Sequence, residues 1–164
     1  MKIKKPEWRL TKGEPIIEFI LRPASAFVDA LKEKGMDPPE PVLVRGIIDT
    51  GFTGGLVIQK SLVKGWGLKC RNFNEFSLPQ ESGRFFDPSY AWEAPVGIKF
   101  QNCSHNGKNV LLDPIPATLA EIIIDENAQA VIGQEILMAC TFVFCGPKSF
   151  FKLEFSNNFE LPQI

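Results

Sequence analysis

The chain has 164 residues, of which 45% are hydrophobic and 23% charged, with a formal net charge of −1. That length suits one domain with a substantial core. A charge so close to balance gives no electrostatic case for a nucleic-acid or membrane partner.

The 14 phenylalanines, 13 glycines and 13 prolines suggest short, aromatic-filled strands separated by many turns, hence a mainly β chain. Residues 1–14 read as a basic arm carrying Lys2, Lys4, Lys5, Arg9 and Lys12, and residues 15–164 as the domain itself. The arm is a solvated segment with Trp8 laid on the body, or else part of a dimer interface. It lacks the apolar centre of a secretory signal. No stretch approaches the roughly 20 apolar residues of a membrane helix. A cytoplasmic location is therefore expected, with Cys70, Cys103, Cys140 and Cys145 as reduced thiols.

Pro15 to Leu21 alternates as a strand and ends at Arg22-Pro23, because proline cannot donate to a ladder. Ala24 to Gly35 is the clearest helical pattern. Ser25 is the expected N-cap, Phe27, Val28 and Leu31 form the apolar stripe, and Gly35 is the expected C-cap. Met36 to Pro41 is a loop. The apolar run from Val42 to Ile48 is the next strand, and Leu43, Arg45, Ile47 and Asp49 share its parity. It stops at Asp49-Thr50-Gly51 and resumes at Leu56, Val57 and Ile58 after Gly54-Gly55.

Gln59 to Leu68 reads as a short helix or turn. Ser77 to Phe100 reads as two strands around Glu81-Ser82-Gly83-Arg84, the second ending in alternating Val96, Ile98 and Phe100. Gln101 to Asn109 is a turn and Ile115 to Ile124 a strand. Asp125 follows that strand but lacks a Thr-Gly after it. Met138 to Phe144 and Phe150 to Phe155 form a final hairpin, followed by a tail from Ser156.

A carboxylate at the end of a buried strand is costly unless something pairs with it. Gly51 allows a sharp turn and close approach of another chain, and the Thr50 hydroxyl can hydrogen-bond across an interface. Hydrophobic-hydrophobic-Asp-Thr-Gly resembles the active loop of the aspartic proteases. A second segment, Val131-Ile132-Gly133-Gln134-Glu135-Ile136-Leu137, resembles the Gly-containing segment that opens a short helix in the retropepsins, the single-domain retroviral-type members. The order of the two motifs is also similar, and the resemblance spans roughly residues 16–155.

The resemblance implies a closed β-barrel with a flap hairpin, one inserted helix near the N-terminus and a short helix after Val-Ile-Gly. It implies Asp49, Thr50 and Gly51 as the catalytic loop, Gly83 and Arg84 at the flap tip, and Phe52, Thr53 and Ile132 with them along the substrate groove. Phe52 stands where the family usually has a small residue, so its ring fills a subsite or packs inward. Thr53 and Gln134 stand where many retropepsins carry an ion pair, and a neutral hydrogen bond is the expected replacement.

Aspartic protease chemistry needs two carboxylates, and the chain offers one such loop. A homodimer supplies the second. The expected function is therefore an aspartic endopeptidase acting on a peptide or protein. The alternatives are a catalytically silent binding or scaffold module of the same fold, or a plain β-barrel in which Thr50-Gly51 is only a turn. Cys103-x-His105 lacks further ligands at usable spacing, so neither metal nor cofactor is expected. His105 has no orienting acid in view, which argues against a serine or cysteine nucleophile.

Overall fold

A computed structural model describes residues 7–72, 92–104, 107–121 and 125–156. The first strand, β1 (Glu7–Arg9), leads into a tight turn at Lys12-Gly13, where both residues have positive φ. Such a turn matches the right-handed twist of paired strands. The chain then enters β2 (Ile16–Pro23), α1 (Ser25–Glu33) and β3 (Val42–Ile48). Beyond the Asp49 loop come β4 (Leu56–Gln59), a 3₁₀ turn at Lys60–Val63 and the two-residue β5 (Arg71–Asn72). The second half contains β6 (Trp92–Phe100), β7 (Val110–Ala120), β8 (Ala130–Ile132), α2 (Gln134–Leu137), β9 (Cys140–Cys145) and β10 (Phe150–Phe155).

Strands pair in the order β2-β3-β8-β4-β7-β6-β5, and β6 returns to β2, which closes a six-stranded barrel. Among the described residues, closure leaves the barrel strands paired on both sides, with β5 appended to β6. Alternation along the strands sorts their side chains into two groups. Ile17, Phe19, Leu21, Ile48, Leu56, Ile58, Val96, Ile98, Phe100 and Ile132 fill the interior. Ile16, Ile47, Phe52, Val57, Ala120, Ala128 and Val131 form a second, separate buried cluster. The mainly β barrel, the helix near the N-terminus and the short helix after Val-Ile-Gly are all present. The proposed flap tip, Gly83 and Arg84, lies outside the described residues, as does His105.

A smaller antiparallel sheet, β1-β10-β9, packs beside the barrel. The hairpin predicted near the C-terminus is its β9–β10 pair. Glu7–Arg9, read from sequence as part of the arm, pairs with Phe150–Lys152 within the same chain, and Trp8 stacks on Phe151 at 5.5 Å.

The ends of α1 differ in how they are held. At its C-terminus Gly35 adopts φ +69°, the Gly35 N–H donates to Lys32 O and the Met36 N–H to Leu31 O. This is the Schellman arrangement that the glycine predicts. At the N-terminus the expected Ser25 cap is corrected: Ala24 is the N-cap and makes no side-chain cap bond, while Ser25 is the first helical residue. The acceptor comes from β7, 88 residues away: the Asp113 carboxylate takes the Ser25 N–H at 3.1 Å and the Ser25 hydroxyl at 2.8 Å. Arg22 Nη2 also donates to Asp113 Oδ2 at 2.7 Å. The Asp113 side chain is only 6% exposed. Burial pushes its carboxyl upward, but the Ser25 and Arg22 donors outweigh that and hold it below the ordinary carboxylate value.

Candidate active site

The Asp49 loop joins β3 to β4, and β8 runs between those two strands. β8 pairs in parallel with β3 (Gly46 with Ala130, Ile48 with Ile132) and antiparallel with β4 (Leu56 with Ile132). The chain leaving β8 therefore emerges directly against the loop. The Asp49 N–H donates to Ile132 O at 2.9 Å, so the carboxylate-bearing residue is tied to β8 from its first atom. Within the loop the Gly51 N–H donates to Asp49 Oδ1 at 3.0 Å and the Phe52 N–H to Asp49 O at 3.2 Å. Asp49 is half-buried, while Thr50, Gly51 and Thr53 are exposed.

A helix leaves its first N–H groups without partners inside the helix. In α2 the loop carbonyls take them. The Gly133 N–H donates to Gly55 O (2.7 Å), the Gln134 N–H to Phe52 O (2.8 Å) and the Glu135 N–H to Gly54 O (3.1 Å). No side chain caps this helix. The loop thus caps the helix and the helix fixes the loop. The contact is too close for side chains: a Cβ on Gly133 would collide with Gly54 O and the Phe52 ring, and one on Gly54 would stand 2.5 Å from Phe52 Cζ.

This packing settles where several predicted site residues sit. Asp49, Thr50, Gly51 and Thr53 share the exposed loop. Phe52, placed in the substrate groove by the resemblance, is 4% exposed. Its ring is turned under Gly54 and Gly133, the inward of the two expected packings, because that is where apolar surface is buried. Ile132, also assigned to the groove by the resemblance, is fully buried in the barrel interior. Gln134, expected to replace a lost ion pair opposite Thr53, instead donates from Nε2 to the backbone carbonyl of Thr50 at 2.7 Å. No sequence pattern points to a main-chain partner.

Other ionisable groups nearby are perturbed. Glu135 packs over Gly55, so that a Cβ there would stand 3.0 Å from Glu135 Oε2. Burial, and then the Glu93 charge, raises its carboxyl above the ordinary value. Glu14 is raised as well, by burial and by Asp125 and Glu126, against the opposing charge of Lys12. Asp125 thus lies with Glu14, in an acidic group of its own. Burial pushes the thiols of Cys103 and Cys140 up to about 12, which leaves them without thiolate character at neutral pH. Among the described residues, no group of three or more His, Cys, Asp or Glu side chains is arranged to hold a metal ion.

No family model, curated protein or solved structure matches this chain.

Proposed function

We propose that the chain is one half of a homodimeric aspartic endopeptidase, in which Asp49 from each copy meets at a two-fold axis. The observation that carries this reading is the stapled loop. Asp49 stands at the end of a barrel strand, its Oδ1 held by the Gly51 N–H and its loop carbonyls bonded to the start of α2. Such a loop keeps a carboxylate in a set direction on an exposed surface, which suits chemistry between two copies.

Two carboxylates held about 3 Å apart cannot both ionise, so the pair shares one proton. One takes a proton from a water between them while the other protonates the leaving amine. The exposed Thr50 would bond across to the partner's loop. Gly51, with no Cβ, would admit an extended substrate backbone that binds like an added strand.

The test uses wild-type protein and Asp49→Asn against a peptide library between acidic and neutral pH. Cleavage is expected on the acidic side, where one acid of the pair is protonated, and Asp49→Asn abolishes it. Full activity in that variant sinks the reading. A wild type that cuts nothing, yet whose dimer brings the two Asp49 side chains together, points instead to a binding or scaffold module of the same architecture.

A further inference from the structure

We infer that Gln134 is a positioning residue for Asp49, acting through the peptide group that joins Thr50 to Gly51. That inference takes its catalytic meaning from the peptidase reading, but the geometry stands by itself. The two ends of this single peptide group are held by different elements. Its carbonyl oxygen, on Thr50, accepts from Gln134 Nε2 at 2.7 Å. Its N–H, on Gly51, donates to Asp49 Oδ1 at 3.0 Å. A peptide group is planar and rigid. Fixing its carbonyl therefore fixes the direction of its N–H, and that N–H fixes one oxygen of the carboxylate. The two bonds also polarise each other in the same sense, since a donor on the carbonyl strengthens the N–H as a donor.

Gln134 can act this way because its own backbone cannot drift from the loop. Its N–H is on Phe52 O, and those of Gly133 and Glu135 are on Gly55 O and Gly54 O. This side-chain bond links α2 directly to the Asp-Thr-Gly stem. The two ends of that link, Gln134 and Thr50, are both exposed residues. Water can therefore satisfy the Thr50 carbonyl if the side chain is removed, so the bond adds direction more than stability. An amide supplies this donor without bringing a net charge. Glutamate would present an acceptor to a carbonyl once ionised.

The experiment compares wild type, Gln134→Ala and Gln134→Glu as purified full-length protein. It reads amide hydrogen exchange at Gly51, melting temperature and, where cleavage is seen, kcat and KM. In Gln134→Ala the Gly51 amide exchanges about fivefold faster, the factor carried by one ordinary hydrogen bond. The melting temperature stays within about 2 °C. In Gln134→Glu the protection of Gly51 follows pH: it is present while the new carboxyl is protonated and can donate to Thr50 O, and is lost once that carboxyl ionises. In an active enzyme both variants lose kcat with KM little changed, and Gln134→Glu recovers towards acid pH. Equal Gly51 protection in all three proteins overturns the inference, as does loss of protection without loss of kcat. A wild type with no cleavage counts against the peptidase reading alone, because the exchange measurement still decides whether Gln134 directs the Asp49 loop.

Discussion

At the scale of single residues, Phe52 shows how a side chain beside an exposed loop can be wholly structural. Its ring fills the space that Gly54 and Gly133 leave by having no Cβ. The two glycines are nevertheless not equivalent. The nearest atoms to a Cβ on Gly54 all belong to the Phe52 ring, whereas a Cβ on Gly133 would also meet the backbone at Gly54 O and Phe52 O. Gly54→Ala should cost about 1–3 kcal/mol in the wild type by overpacking. In a Phe52→Ala background, itself destabilised by about 3–5 kcal/mol, adding Gly54→Ala should cost much less. Gly133→Ala should remain harmful in both. Urea unfolding of the single and double variants measures this coupling. Strictly additive Gly54 and Phe52 effects would mean that the ring does not occupy that space.

At the scale of elements, the two helices are stabilised by partners far away in sequence. α2 spans four residues, too few to persist unaided. It exists because loop carbonyls take its first N–H groups. α1 has no fully buried residue, and the Arg22–Asp113–Ser25 cluster ties its start to the barrel strand β7. Asp113→Ala should therefore cost about 2–4 kcal/mol at neutral pH, since it strands donors around a buried position. Asp113 is held below the ordinary carboxylate value in the folded state. Its contribution is complete above that ordinary value and fades as pH falls through the depressed one. The stability gap between wild type and Asp113→Ala should thus narrow in strong acid. A gap that is the same at pH 7 and in strong acid would show that the carboxylate charge is not what holds α1.

At the scale of the whole molecule, the proposed chemistry requires a second copy of the chain to bring the second loop acid. In the three-stranded sheet β10 lies between β1 and β9, so among the described residues both outer strands present an edge. Unpaired edges and exposed apolar groups are places where chains associate. Val143 on β9 is 45% exposed and Met138, whose N–H bonds Gln134 O one turn along α2, is 85% exposed. The protein should sediment as a dimer, and Met138→Lys should weaken that dimer about tenfold, as expected for losing one buried apolar side chain. A strict monomer at high concentration would leave each Asp49 without its counterpart and remove the basis of the proposed chemistry. Among the described residues no helix is long and apolar enough to cross a membrane.

Local patterns in the sequence were enough to locate most elements. Periodicity marks β2, α1, β3 and the β9–β10 hairpin, and Gly35 marks the end of α1, because each depends on neighbours within a few residues. The Asp49-Thr50-Gly51 loop and its companion Val131-Ile132-Gly133 are equally visible as interruptions of apolar runs. β7 begins at Val110, earlier than the pattern implies, because Asp113 and Pro114 break the alternation while the ladder to β6 continues past them. The tertiary structure alone decided which way Phe52 turns, that Ile132 faces the interior, that Asp113 rather than Ser25 supplies the acceptor for α1, and that Gln134 reaches the Thr50 carbonyl. Each of these depends on which distant backbone lies within hydrogen-bonding or van der Waals distance. Barrel closure creates that proximity, and residue type and spacing do not encode it.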